Sequence, residues 1–462
     1  MMFLGVVLHV GVMYMPFPDE MDILTIAEEQ RDPFRDVGGY NMTAQRIVWV
    51  IHFFRMPAFM LLAGFFAALL MEKRGARHLI KNRAQRILVP LILFWFFLWP
   101  IDRFAWSVGK DVMLDVSNAT PLLEILRNNL SWDHLPIIGD TAPHTMHLWF
   151  IHYLVIFYFV SIPVIHSVKS KIPSAADCLN RSLDFVFSTR AKVLIIPVLI
   201  LLSFLTLKNE GSFHFNVSFD FLPGIPFLLN FFVFFVAGWI MYARRDVIEH
   251  FKKWVWFYTP IAIVLLGGIV WAGETHWHYE KLLKENEGAK ELLAQKAMYL
   301  NVATILQACC VWFAIFSLVG LTEKYITKPN KKTTYIVYSS YWVYLFHRPL
   351  CVGFAVLFAR WDMPGVVKFT IVTAIVSALS ILTHHFLVRN TFDALLVKLR
   401  QIVLSLTILI AASHDNIAVV HLTLFVIGNL HKHRHQQIVC SLVLYFLYQQ
   451  YLNLYLQRLN HH

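Results

Sequence analysis

The chain has 462 residues, of which 58% are hydrophobic and 15% charged, with a mean hydropathy of +0.57 and a formal net charge of +11. So large an apolar share excludes a soluble globular domain, whose surface must face water. A charge this positive points to an anionic partner or to the loop asymmetry of a membrane protein, and the distribution of the charges separates the two.

The first apolar run starts at Met1 and stops at Pro16. It is shorter than the ~20 residues a span needs. It also lacks the basic start and small-residue cleavage site of a signal peptide. It reads as a first helix whose beginning lies upstream of this chain. Further runs follow at 48–71, 87–105, 147–168, 192–207, 222–243, 254–273, 299–320, 335–358 and 365–388. A bilayer offers the backbone no hydrogen-bond partners, so helices are expected. A barrel would alternate in ten-residue segments, and these runs do not. The predicted fold is all-α, a polytopic membrane helix bundle of about ten transmembrane helices.

The connecting loops sort into two alternating sets. Loops 72–86, 168–192, 244–253, 321–334 and 389–400 carry 22 Lys and Arg. Loops 16–46, 105–146, 208–222, 274–298 and 359–364 carry 11, offset by acids such as Asp19, Glu20, Asp22, Glu28 and Glu29. The positive-inside rule makes the basic set cytoplasmic, with both ends of the ten-helix unit inside. The net charge therefore needs no nucleic-acid partner; the expected partner is the lipid bilayer. Segment 274–298 has helical composition and is expected as a short surface helix.

After residue 390 the texture changes. Residues 391–462 read as an atypical C-terminal extension, apolar and rich in histidine. Its last 62 residues hold one acid, Asp415, and seven histidines. The cluster His431, His433 and His435 lacks acidic or cysteine company, so no metal site is predicted. Cys178, Cys309, Cys310, Cys351 and Cys440 show neither a disulfide framework nor metal-ligand spacing.

Ionisable residues inside spans are costly and are candidates for function. His9 lies roughly 10 Å deep in the first helix. Arg55 reaches a similar depth in the second, and His52, three residues earlier, shares its face. His9, His52 and Arg55 are expected to cluster between the first two helices. His347 and Arg348 lie near the middle of the ninth span, before Pro349, where a kink or break is expected. Arg83 and Arg86 stand at the mouth of the third helix on one face, where two forked donors suit a phosphate or diphosphate.

Taken in order, these segments resemble the acyltransferase-3 family of membrane O-acyltransferases, and within it the glucan-succinylating branch. The likeness rests on Phe3-Leu4-Gly5-Val6-Val7-Leu8-His9, on His52-Phe53-Phe54-Arg55-Met56-Pro57 with Leu62-Ala63-Gly64-Phe65, and on Arg83-x-x-Arg86 with Pro90. His147-Leu148-Trp149-Phe150-Ile151 and Tyr344-Leu345-Phe346-His347-Arg348-Pro349-Leu350 complete it. It covers residues 1–390, the acyltransferase-3-like domain. The chain departs from the family in three places. The arginine usually found eleven residues before the first-helix histidine would precede Met1, Ala63 stands where many members have serine, and the tail beyond residue 400 is not expected from the family.

The resemblance implies an enzyme of the bacterial inner membrane. It would move an acyl group, succinyl or acetyl, from cytoplasmic acyl-CoA to a hydroxyl of a periplasmic or cell-envelope glycan. No bound cofactor is implied; succinyl-CoA or acetyl-CoA is the donor substrate. His9 takes the catalytic place, as nucleophile or general base. Arg83 and Arg86 take the donor-binding place. His52, Arg55, His147, His347 and Arg348 are candidates for substrate or oxyanion support. The alternatives are a transporter or flippase, whose intramembrane charges line a path, and an inactive truncated member of the family.

Overall fold

The computed structural model describes residues 2–15, 36, 39–115, 119–130, 143–189, 194–286, 289–326 and 330–390. The acids Asp19 to Glu29 of the first loop, and the whole extension from 391 with its histidines and Cys440, lie outside these. By its contacts the chain divides into Met1–Ser377 and Ala378–His462. Everything described below about the site belongs to the first unit.

The described residues form an all-α membrane bundle. In chain order the helices are α1 (Phe3–Val12), α2 (Met42–Arg83), α3 (Val89–Leu114), α4 (Leu122–Asn129), α5 (Trp149–Lys171), α6 (Pro173–Ser188) and α7 (Ile195–Glu210). Then come α8 (Ile225–Ala243), α9 (Asp246–Lys253), α10 (Val255–Glu285), α11 (Lys290–Tyr325), α12 (Lys331–Ala359) and α13 (Gly365–Thr383). Each predicted apolar run falls on one of them. Among the described residues seven helical stretches are long and apolar enough to cross a membrane, and one of these, Met42–Met113, carries two of the predicted runs. Helix α1, with 10 residues, and α7, with 16, are shorter.

Local chemistry explains the boundaries. Asn41 caps α2 by accepting from the Thr43 and Ala44 N–H groups at 2.7 and 3.3 Å. Asn330 caps α12 in the same way through Thr333. Gly75 turns the chain at φ +78°, a conformation that costs only glycine little. A π-helical turn at Ala84–Leu88 then leads into α3. Segment 274–298 is no separate surface helix. It is the outward extension of α10 and α11, whose pairing carries the charged stretch and is tied by Lys296 to Glu280 at 3.4 Å.

The core is built around α2 and α8. Their backbones touch: a Cβ on Gly64 would lie 1.9 Å from the Phe235 carbonyl oxygen, and one on Gly238 would lie 1.8 Å from that of Leu61. Small residues at such crossings replace the hydrophobic drive that lipid cannot supply. Two prolines leave carbonyls that a neighbour uses. Pro57 has no N–H for the carbonyl one turn back, that of Phe53, and Gln307 Nε2 donates to it at 2.8 Å. Pro349 likewise releases the Leu345 carbonyl, and α12 runs unbroken through the proline rather than breaking there.

The end of the bundle opposite the basic loops is held by ion pairs. The deepest is Lys368 with Asp36, 2.7 Å apart and each at most 3% exposed. Lys368 also donates to the Ala359 carbonyl at 2.9 Å. Removing one partner strands a buried charge, so Lys368→Met is expected to destabilise the protein by about 3–5 kcal/mol. Adding Asp36→Asn should recover most of that loss. Thermal unfolding of the detergent-solubilised variants measures both, and equal melting temperatures for wild type and Lys368→Met would refute it.

Candidate active site

Helices α1, α2, α5 and α12 meet around one pocket. Its lining includes Gly5, His9, Arg55, Phe59, His147, Phe150, Tyr344 and His347. Helix α1 presents Met2, Gly5 and His9 to it from successive turns of one face. The imidazoles of His9 and His347 have centroids 5.0 Å apart, those of His147 and His347 5.5 Å, and those of His9 and His147 6.4 Å.

Two of the three imidazoles are fixed by the backbone. His347 Nδ1 lies 2.9 and 2.8 Å from the Val343 and Tyr344 carbonyl oxygens. Those oxygens only accept, so Nδ1 carries the hydrogen, and in the neutral ring Nε2 holds the lone pair. Nε2 is buried, with no hydrogen-bond partner among the described residues. His147 Nε2 donates to the Leu345 oxygen that Pro349 released, at 3.1 Å, which leaves its buried Nδ1 as the acceptor. Of the two acceptor nitrogens, only that of His347, at 5.0 Å between ring centroids, is near enough to meet a proton on His9 directly.

His147 is delivered by a tight local turn. Met146, fully buried, has φ +51°, a left-handed conformation a residue with a side chain adopts at a cost of order 1 kcal/mol. It is held there because its N–H donates to His144 Nδ1 at 3.1 Å and because Thr145 bonds the Phe219 carbonyl through N and Oγ1. Tyr344 closes the turn by donating from its hydroxyl to the His147 carbonyl at 2.9 Å.

Arg55 is 8% exposed, and its Nε and Nη1 have no hydrogen-bond partner. Among the described residues no carboxylate pairs with it. Gly5 makes room for it, since a Cβ there would sit 2.9 Å from Nη1. A buried guanidinium without an anion costs stability. Arg55→Leu is accordingly expected to raise the melting temperature while abolishing activity. A variant less stable than wild type would contradict this account of the residue.

Not every predicted residue joins the pocket. His52 turns away toward His214, 6.0 Å between centroids, in a ring cluster with Trp49 and Phe53. Three residues leave it about 60° around the helix from Arg55, enough to face a different neighbour. Arg348 is paired with Asp102 of α3 at 3.5 Å, both poorly exposed. Arg83 and Arg86 stay at the basic end. The Arg83 guanidinium lies 4.9 Å over the Tyr158 ring, and Arg86 sits in the π-helical turn, close enough for Arg83 and Arg74 to repel its charge. Sequence reasoning missed Asp102, Gly5 and Tyr344. The acid at the end of an apolar run was the available signal for Asp102. Among the described residues no group of three His, Cys, Asp or Glu is arranged to hold a metal ion.

A membrane-embedded helix bundle that gathers three histidines around an arginine with no carboxylate partner among the described residues defines a membrane enzyme with a buried polar pocket. The chain belongs to acyltransferase family 3, whose acyltransferase-domain profile matches residues 1–385. It is an acyltransferase. It is similar to glucans biosynthesis protein C of Salmonella typhi and of Salmonella typhimurium, each 24% identical over 314 residues, which is 66% of this chain and 71% of the relative. The protein of the same name from Salmonella enteritidis is 23% identical over the same length. No solved structure matches.

Proposed function

We propose that the chain is an O-acyltransferase of the bacterial inner membrane, moving a succinyl or acetyl group from acyl-CoA to a hydroxyl of an envelope glycan. The observation that carries this is the pocket, where His9 is grouped with two further imidazoles and a guanidinium that no carboxylate pairs among the described residues. The name of these relatives, glucans biosynthesis protein C, supports a glucan as acceptor. The loop charges support an orientation with the Arg83 and Arg86 end, and both ends of the ten-helix unit, in the cytoplasm.

In this reading His9 is the general base. The glycan hydroxyl oxygen bonds to the thioester carbonyl carbon, the carbon–sulfur bond breaks, and the hydroxyl proton passes by way of His9 to the departing thiolate. The products are a glycan ester and free CoA. His347 Nε2 faces one N–H of the imidazolium that forms in between, and the other nitrogen of His9 carries the proton from hydroxyl to thiolate. Arg55 faces the negative charge that develops on the carbonyl oxygen, in a setting where water does not screen it. Arg83 and Arg86 hold the phosphates of the donor.

The test uses the full chain in lipid nanodiscs with radiolabelled succinyl-CoA or acetyl-CoA and a soluble glucan. Label should enter the glucan as an alkali-labile ester with release of one thiol per ester. Thiol release without glucan ester, or no reaction with either thioester, would refute the assignment. In sealed vesicles, movement of unmodified glucan would favour the transporter reading instead.

A further inference from the structure

The pocket is not uniform. Its polar groups, His9, Arg55, His147 and His347, gather at one end. Toward the basic end of the bundle it is walled by Met2, Phe59, Phe150 and Tyr344. Phe59 and Phe150 have centroids 5.7 Å apart, and Phe150 and Tyr344 6.1 Å. The chain direction fixes this polarity. Helix α1 enters at Met2 and reaches His9 about 10 Å later, and α12 passes Tyr344 before His347.

Helix α12 extends the aromatic wall outward. Tyr341, Tyr344 and His347 are spaced by three residues, so each ring is stepped about 60° from the last and the row winds around the helix. Their neighbouring ring centroids are each 6.4 Å apart. Exposure falls from 36% at Tyr341 through 9% at Tyr344 to 2% at His347. The outer ring is tied to the turn that carries the arginines, because the Tyr341 hydroxyl donates to the Arg86 carbonyl at 3.1 Å. The inner ring is tied to the pocket through the His147 carbonyl.

We infer that Tyr341 and Tyr344 form one wall of a channel that receives the extended arm of the acyl donor, from the Arg86 turn to the imidazoles. The inference rests on the donor being a thioester with a long, thin, largely uncharged arm and a phosphate-bearing head, as under Proposed function. About 9 Å of helix separates Tyr341 from His347, a distance such an arm spans. The amides and methylenes of the arm lie against ring faces, while the phosphates remain at the arginines. Tyr341 is thus a donor-positioning residue, remote from the reacting atoms.

The experiment compares acyl-CoA with the same acyl group on N-acetylcysteamine, a donor that keeps only the thiol end of the arm and stops short of Tyr341. In nanodiscs, Tyr341→Ala should raise the KM for acyl-CoA about three- to tenfold, the range for losing one aromatic face. The KM for glucan and that for the truncated donor should not move. Tyr341→Phe, which keeps the ring, should recover most of the affinity. Binding of CoA itself, measured by calorimetry, should weaken by the same factor in Tyr341→Ala. Unchanged KM and unchanged CoA binding would overturn the channel while leaving the transfer reading intact. Tyr341-dependent CoA binding by a wild type that transfers nothing would uphold the channel and sink the transfer reading. Equal rises in both substrate KM values would mark Tyr341 as merely structural and overturn the inference.

Discussion

Acyl transfer is expected to fall by at least about a hundredfold when His9 is replaced by alanine, the lower end of what a positioned general base contributes. The fold should survive the change. Helix α1 is held by Val6 and Val10, both fully buried, and by Leu8, whereas His9 is only partly buried and borders the pocket. His347→Ala should also impair transfer, but less, because it removes a neighbour that supports the imidazolium and leaves the base itself in place. The measurement is radiolabelled ester in glucan per mole of folded enzyme, with folding checked by size-exclusion elution. Wild-type turnover in His9→Ala would remove His9 from the mechanism. A loss matched by loss of the folded peak would make it a structural residue.

The second large effect is structural. Gly64→Leu and Gly238→Leu are each expected to prevent accumulation of folded protein. Ordinary overpacking costs about 1–3 kcal/mol, because side chains and backbone can shift. Here the first atom of the new side chain already meets a backbone carbonyl oxygen, at 1.9 Å from Gly64 and 1.8 Å from Gly238. The helices can only separate, and α2 carries Arg55 and Phe59 into the pocket. Gly267→Leu is the control, since a Cβ there meets nothing within 4 Å. Fluorescence-detected size exclusion reads the outcome. Monodisperse Gly64→Leu protein with wild-type yield would show that the crossing is more yielding than its geometry.

Much of this was legible in the sequence. The apolar runs placed the helices because a bilayer leaves the backbone no other choice. His9, Arg55 and His347 stood out as ionisable groups where hydrocarbon makes them costly. His147 was found only through its resemblance to a family segment, for it sits at the opening of a span, where histidine is unremarkable. Pairings between distant residues were not legible. Arg348 looked like a substrate residue because its partner, Asp102, lies on another helix at the edge of a run. His52 was grouped with Arg55 by spacing alone, and a 60° offset sends it elsewhere. Gly64 was noticed inside a motif, but only coordinates reveal that it marks a helix crossing. Pro349 was read for the bond it removes; the use made of the freed carbonyl depends on a histidine from α5.

That last feature bears on how such a bundle finds its alignment. Seen from its neighbour, an apolar helix in lipid looks much the same at every turn, and hydrophobic attraction sets no depth. A proline breaks that sameness at one level, by leaving a single unclaimed oxygen on an otherwise closed ladder. His147 reads such a level on α12, and Gln307 reads one on α2. Sliding either pair by a turn would leave both an oxygen and an N–H facing hydrocarbon, at a cost of several kcal/mol. The prolines thus act as depth gauges. The imidazoles share one height in the membrane because a proton is missing from the backbone four residues further on.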